Sequence, residues 1–144
     1  MALKSEIQSF RLILRVSSVT KRGNRMHIGK HIGELNTGAA AEQAAADYLV
    51  RQGLKLVTRN FRCRGGEIDL IMHDGETLVF VEVRSRSRAD FGGAAASITA
   101  SKQARIILAA RHYLAQNAVD APCRFDAVLL QAGQLQWLPA AFET

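Results

Sequence analysis

Apolar residues recur along this chain at two different spacings, and the changes between them predict an order of helices and strands. Residues 37–52 are rich in alanine and are followed by Gly53, so they are predicted to form a helix that ends there. Thr37 or Asn36 would cap its start. Later apolar stretches predict five strands and a second helix. The strands are 54–61, 68–72, 78–83, 124–130 and 135–138, and the second helix is 98–117.

The third predicted strand is apolar at every position from Leu78 to Val81, not only at alternate ones. This pattern is typical of a strand inside a sheet that helices cover on both faces. A helix, three strands, a helix and further strands follow one another along the chain. We therefore expect an α/β fold, an α/β/α sandwich with a central mixed sheet.

Residues 1–36 are predicted to be an extension that precedes a domain formed by residues 37–144. Apolar residues recur at helical spacing near the start, and a basic segment follows at 21–25. Two interpretations remain open. Either the extension is a docking helix with a basic arm, or the start codon is assigned too far upstream and Met26 is the true first residue.

The composition is that of one globular domain with an excess of basic residues. The chain has 144 residues, 48% of them hydrophobic, and 19 lysines and arginines against 13 aspartates and glutamates. This balance favours a polyanionic partner, such as nucleic acid. Cys63 and Cys123 are too few for a disulfide framework, which favours a reducing cytoplasm. No apolar run is long enough to span a membrane, so we expect no membrane insertion.

Asp74-Gly75 is a strong signal for a two-residue hairpin turn between the second and third strands. This turn would fix the register of the two strands. The predicted pairs are His73 with Glu76, Ile71 with Leu78, Asp69 with Phe80, and Glu67 with Glu82. Because side chains alternate between the faces of a strand, this register brings Glu67, Asp69 and Glu82 together on one face.

Three carboxylates this close repel one another unless a cation neutralises them. A divalent metal ion would do so, which makes Glu67, Asp69 and Glu82 candidate metal ligands. Burial would raise the cost of leaving them uncompensated. The alternative is a set of salt bridges with the arginines that follow in the strand. These are Arg84, Arg86 and Arg88. A one-residue bulge would also move the acids of one strand to the other face.

Several short motifs resemble a known bacterial family when they are taken together. They are Arg59-Asn60-Phe61, GGEIDLI at 65–71, LVFVEVR at 78–84, and Lys102. Over residues 38–126 the chain resembles the small bacterial YraN family, which is assigned to the PD-(D/E)xK nuclease superfamily. That superfamily includes Holliday-junction resolvases. The resemblance implies a restriction-endonuclease-like core that uses Mg²⁺ or Mn²⁺.

The resemblance also implies roles for individual acids. Asp69 matches the aspartate of the superfamily motif and Glu82 the acid of its ExK element, so both would be metal ligands. Glu67 precedes them on the same face. Glu42 lies where resolvase-like relatives have a helix glutamate, and its helical neighbours indicate that it points inward. Alternatively, Glu42 is a first-turn glutamate favoured by the helix dipole.

Arg84 stands where the superfamily pattern has lysine. Arginine stays protonated and cannot act as a general base, but it can stabilise charge on a phosphate. Arg84, Arg86 and Arg88 continue the face of the acids as a basic stripe that could bind nucleic acid. Lys102 and Arg105, which are one turn apart in the second helix, add a second predicted contact.

These features favour an endonuclease that uses Mg²⁺ or Mn²⁺ to hydrolyse phosphodiester bonds of DNA. Structured or damaged DNA is the substrate that the family resemblance suggests. Asp69, Glu82, Arg84, Glu67 and Glu42 would form the catalytic site. The rival interpretation is a nucleic-acid-binding or scaffold protein that keeps the fold and lacks turnover, and the arginine in place of lysine favours it. Whether the protein is a homodimer stays open.

Overall fold

The structure is a computed structural model that describes residues 25–27, 38–86, 98–131 and 133–144. It contains six strands and two helices among these residues. Their bounds are Arg25–His27 (β1), Gly38–Arg51 (α1), Lys55–Cys63 (β2), Gly66–Asp74 (β3), Thr77–Arg86 (β4), Ala100–Gln116 (α2), Cys123–Gln131 (β5) and Gln134–Phe142 (β6). The predicted amino-terminal helix, Arg88 and the side chain of Arg86 lie outside the described residues.

The strands form one mixed sheet in the order β1-β6-β5-β4-β3-β2. β4 and β5 run parallel, and the other neighbouring strands are antiparallel. The short strand β1, from the predicted extension, pairs with β6. The predictions of an α/β fold and of a mixed sheet are confirmed.

Each face of the sheet carries one helix and its own apolar core. Val79 and Val81 of β4 lie in one core with Leu49 of α1. Phe80, on the opposite face, lies in the core that includes α2, and its ring stacks on Phe125 with 5.5 Å between centroids. β4 is therefore buried on both faces, which explains its continuous apolar sequence. In the described part of the chain, neither helix is long and apolar enough to cross a membrane.

The register predicted for the β3–β4 hairpin is wrong by two residues. Ile71 pairs with Phe80 instead of Leu78, and His73 pairs with Leu78 instead of Glu76. The predicted pairs of Asp69 with Phe80 and of Glu67 with Glu82 are not formed, because the regular pairs end at Leu70 with Val81. Because the faces of a strand alternate with a period of two, a shift of two residues does not by itself move a side chain to the other face.

A distant contact accounts for the different register. The turn consists of Gly75 and Glu76, because Asp74 stays in β3 and pairs with Thr77. The Asp74 carboxylate accepts two hydrogen bonds, each 3.1 Å long, from the Arg124 guanidinium of β5. Gly75 takes a left-handed conformation with φ of 60°, as the first residue of a type II′ turn does.

A fully buried carboxylate joins β5 to β6. Asp126 accepts hydrogen bonds from Arg124 at 2.8 and 3.0 Å, from Trp137 Nε1 at 3.0 Å and from the backbone N–H of Ala140 at 3.0 Å. These donors compensate a charge that is otherwise costly to bury. The pairing of β5 with β6 is irregular at this point. Asp126 was not predicted as a buried acid, and its only signal in the sequence is an acid inside an apolar strand.

The β2–β3 turn lies directly on α2. A Cβ at Gly66 would clash with the backbone carbonyl of Arg105. Gly65 has φ of +91°, and a Cβ there would lie 3.1 Å from Leu108 Cδ2. The two glycines therefore allow the turn and the helix to approach each other closely.

The N-cap of α2 determines where its first basic residue lies. Thr99 Oγ1 accepts a hydrogen bond from the backbone N–H of Lys102 at 3.2 Å. Such a bond satisfies an N–H that has no partner within the helix. The cap therefore fixes the start of α2 and places Lys102 in its first turn.

Candidate functional site

Asp69 and Glu82 lie side by side where β3 separates from β4. The last regular pair between the two strands is Leu70 with Val81. Beyond it, the backbone N–H of Val83 donates a 2.8 Å hydrogen bond to Asp69 Oδ2. This bond holds the Asp69 side chain against β4, within hydrogen-bonding reach of the Glu82 carboxyl. Asp69 thus faces Glu82, and the partner predicted for it from the hairpin signal is wrong.

Glu82 is a buried acid. The residue is 3% exposed, and its Oε2 atom has no hydrogen-bond partner among the described residues. Burial raises the pKa of Glu82 to about 7, and the Asp69 carboxylate adds to the rise. Burial also raises the pKa of Asp69, although the hydrogen bond from Val83 opposes this. In the absence of a metal ion, the Glu82 carboxyl therefore takes up and releases its proton near neutral pH.

Lys102 and Arg84 bring positive charge to Glu82. Lys102 Nζ lies 3.5 Å from Glu82 Oε1, and Arg84 Nη1 lies 3.8 Å from the same oxygen. Neither contact involves the unpartnered Oε2. Of the salt bridges predicted as the alternative to a metal site, the one that involves Arg84 is therefore formed. The side chains of Arg86 and Arg88 lie outside the described residues.

Glu67 lies at the rim of the site and not at its centre. Its side chain is 50% exposed, and its carboxylate lies 3.6 Å from Arg62 Nε. The predicted pairing of Glu67 with Glu82 is not formed, because the regular pairs of β3 with β4 end at Leu70 and Val81. On its other side, Glu67 pairs with Arg62 of β2. Lys102 connects the two acids instead, with its Nζ 3.8 Å from Glu67 Oε1.

Glu42 approaches the same acids from α1. The helix begins at Gly38, so Glu42 lies in its second turn and the first-turn interpretation is wrong. Burial raises the pKa of Glu42 and the Asp69 carboxylate raises it further, whereas a hydrogen bond with Asn60 lowers it. Glu42 is only partly buried, and it lies within electrostatic reach of Asp69.

The acids fit a metal ion in part. Within the described residues, no three histidine, cysteine, aspartate or glutamate side chains are arranged as a ready-made metal site. The predicted cluster is instead a buried pair, Asp69 and Glu82, with Glu67 and Glu42 around it. Mg²⁺ is commonly bound by one or two carboxylates, with water completing its coordination. The buried, unpartnered Oε2 of Glu82 is an oxygen that such an ion could satisfy.

A cleft of about 380 Å³ opens beside the carboxylate pair, and we call it the basic cleft. Its lining residues are Arg62, Cys63, Gly65, Gly66, Glu67, Lys102 and Arg105. Lys102 and Arg105 were predicted to contact nucleic acid, and both line it. Arg62 was not predicted to belong to the site, and its signal in the sequence is its position next to the turn before Glu67.

Comparison with known proteins places the chain in a family. Residues 41–130 match the family described as Uncharacterised protein family UPF0102. A UPF0102 protein of Dechloromonas aromatica is 62% identical over 105 residues, which cover 73% of this chain and 87% of that protein. Another, from Nitrosomonas europaea, is 57% identical over 111 residues, which cover 75% of this chain and 94% of that protein. A third, from Aeromonas hydrophila, is 56% identical over 108 residues, with coverages of 73% and 83%. The YraN-like resemblance is thereby confirmed at the level of the family, and the chain belongs to UPF0102.

Proposed function

We propose that this protein is an endonuclease that depends on a divalent metal ion and hydrolyses phosphodiester bonds in DNA. The observation that supports this most is the buried pair of Asp69 and Glu82, with one unpartnered carboxylate oxygen, beside a basic cleft. Such a pair is unfavourable when both acids are charged, and the two cations beside it, Lys102 and Arg84, contact only Oε1 of Glu82. Both cysteines are free among the described residues, which fits the reducing cytoplasm in which we place this activity.

A restriction-endonuclease-like core is part of this proposal. Glu82 lies on the central strand β4 and Asp69 on its neighbour β3. One helix covers each face of the mixed sheet. These features agree with the motif resemblance, in which both acids match metal-binding positions of the superfamily.

In the proposed site, Asp69 and Glu82 hold Mg²⁺ or Mn²⁺ directly, and Glu67 and Glu42 act through water. When bound, the ion would supply a water of lowered pKa and neutralise charge on the phosphate. The hydrogen bond from Val83 orients the Asp69 carboxylate in advance. Preorganisation of this kind avoids a cost of rearrangement during the reaction.

Arg84 is proposed to position the phosphate that is cut. Its guanidinium lies 3.8 Å from Glu82 and therefore close to the proposed metal. A guanidinium can donate two parallel hydrogen bonds to phosphate oxygens, and it keeps its charge at all relevant pH values. Arg84 thus holds substrate and stabilises charge, while it does not remove a proton.

A nuclease assay on supercoiled, single-stranded and branched DNA in Mg²⁺ or Mn²⁺ tests the proposed activity. Asp69→Asn and Glu82→Gln remove the charges and keep the shapes of the side chains. Asp47→Asn removes an exposed carboxylate of α1 and serves as a control. We expect cleavage by the wild type and the control, and at least about a hundredfold less by the two site variants, which corresponds to roughly 2.7 kcal/mol of barrier. Undiminished cleavage by both site variants would contradict the proposal.

A second candidate is a DNA-binding or scaffold protein without turnover, and Arg84 is the residue that favours it. If Arg84 positions the phosphate, Arg84→Lys keeps cleavage within about tenfold of the wild type, and Arg84→Ala loses more. If the wild type is inactive and Arg84→Lys cleaves DNA, the natural protein is a binding module with a disabled site. Equal cleavage by the wild type and Arg84→Ala would exclude the proposed role of Arg84.

A further inference from the structure

The basic cleft holds more positive charge than its own acid neutralises. Arg62, Lys102 and Arg105 line it, against the single carboxylate of Glu67. In the described part of the chain, Arg105 has no ion-pair partner. The side chain of Arg62 is 74% exposed, so its pair with Glu67 is open to solvent. A strand of nucleic acid has one negative charge per phosphate, and basic grooves track such backbones.

The walls of the cleft are held at a fixed spacing. One wall is the β2–β3 turn and the other is the first part of α2. Their contact is close, because Gly66 leaves no room for a Cβ against the carbonyl of Arg105. The positive end of the helix dipole adds to the charge of Lys102 and Arg105 near the start of α2. The cations are therefore presented from a preorganised surface.

Lys102 connects the cleft to the carboxylate pair. Lys102 Nζ contacts Glu67 in the cleft at 3.8 Å and Glu82 at 3.5 Å. Glu67 also contacts Arg62. Its carboxylate therefore pairs with two cations, Arg62 and Lys102, that a phosphate would otherwise bind. An exposed pair of this kind is weak and can be exchanged for another anion at little cost.

We infer that the basic cleft receives the phosphodiester backbone of a DNA strand next to the bond that is cut, and that Glu67 is an internal counter-ion which the backbone displaces. The proposed function supplies the identity of the substrate, so the inference rests on it. This role is separate from the water-mediated contact with the metal that is proposed for Glu67, because it needs no metal ion. Removing its charge strengthens binding, and the effect persists when no metal is present.

Fluorescence anisotropy with a labelled single-stranded DNA of about 20 nucleotides, in EDTA at about 50 to 300 mM NaCl, tests the cleft. Each of Arg62→Ala and Arg105→Ala removes one phosphate contact, so the slope of log affinity against log salt flattens by about 0.7. If the variant and the wild type bind equally at 1 M salt, this difference in slope makes the variant bind about eightfold more weakly at 50 mM salt. Arg111→Ala, an exposed position of α2 outside the cleft, is the matched control. Circular dichroism checks that every variant is folded.

Glu67→Gln tests the counter-ion in the same assay. We expect the variant to bind DNA about two- to fivefold more tightly, because it loses an exposed ion pair that competes with the DNA phosphates. Glu76→Gln, in the exposed turn of the β3–β4 hairpin, removes the same charge elsewhere and should change little. Unchanged or weaker binding by Glu67→Gln would overturn the counter-ion role.

The inference about the cleft and the proposed nuclease activity can be contradicted independently of each other. If Arg62→Ala and Arg105→Ala bind DNA like Arg111→Ala, the cleft is not the binding site, even where the protein cleaves DNA through Glu82. If they bind weakly but no protein cleaves DNA in Mg²⁺ or Mn²⁺, the cleft inference stands and the proposed nuclease does not. Failure of the wild type to bind the DNA at low salt would overturn the inference outright.

Discussion

Replacing Glu82 by glutamine should change the stability of the protein in a way that depends on pH. The folded state raises the pKa of Glu82 from its ordinary value of 4.5 to about 7. Below pH 4.5 the acid is protonated in both the folded and the unfolded state. As the pH rises from 4.5 to 7, the unfolded chain loses this proton while the folded protein keeps it. Stability therefore falls across this window and levels off above it.

The loss follows from the difference between the two pKa values. At about 1.4 kcal/mol for each pH unit, the wild type loses roughly 3 kcal/mol of unfolding free energy once Glu82 is ionised. Glutamine stays neutral and fills a similar volume, so Glu82→Gln does not lose it. We expect the stability of the variant relative to the wild type to grow by roughly 2 to 3 kcal/mol between pH 5 and pH 8.

Urea denaturation in EDTA, followed at several pH values, measures this difference. Asp47→Asn controls for the loss of a surface charge on α1. In the presence of Mg²⁺ the order should reverse at high pH, because the ion stabilises the folded wild type and binds the variant poorly. A difference between variant and wild type that stays constant from pH 5 to pH 8 would refute the reasoning about Glu82.

Three further substitutions test separate parts of the structure. Asp69→Asn keeps an acceptor for the backbone N–H of Val83 in β4. In titration calorimetry it should weaken Mn²⁺ binding by tenfold or more, roughly 1.4 kcal/mol, and an unchanged affinity would show that Asp69 is not a metal ligand. Gly66→Ala should cost about 1 to 3 kcal/mol in urea denaturation because the turn must move off α2, whereas Gly38→Ala, at an open position, should not. Asp126→Asn should cost about 1.5 to 3 kcal/mol because it removes the charge that accepts two hydrogen bonds from Arg124 and leaves Asp74 as its ion-pair partner, and a near-neutral result would contradict the proposed importance of the Arg124–Asp126 pair.

The order of helices and strands could be predicted from local patterns. β4 is apolar at consecutive positions, α1 is rich in alanine, and turn residues separate the strands, so each element is encoded within its own segment. The hairpin register could not be predicted in the same way. Asp-Gly favours one turn locally, but Arg124 in β5 holds Asp74 within β3 and moves the turn by one residue.

The wrong register still brings the two central acids of the candidate site together, because side chains alternate between the faces of a strand with a period of two residues. A shift of two residues keeps Asp69 and Glu82 on one face, so their proximity could be predicted although their pairing was wrong. The basic cleft could not be predicted, because it depends on how α2 packs against Gly66. The position of Arg62 relative to Lys102 follows from that packing and not from any local motif.

Arg124 has a consequence for how the sheet opens. Its guanidinium binds Asp74 at the end of β3 and Asp126 in β5, and Asp126 in turn holds Trp137 and the backbone of Ala140 in β6. β3 and β6 are not neighbours in the sheet. Fraying of β6 would leave Asp126 with fewer donors and loosen the guanidinium that also holds the β3–β4 hairpin. Amide hydrogens of β6 and of the hairpin tip should therefore exchange with solvent as one cooperative unit, although no backbone hydrogen bond joins them.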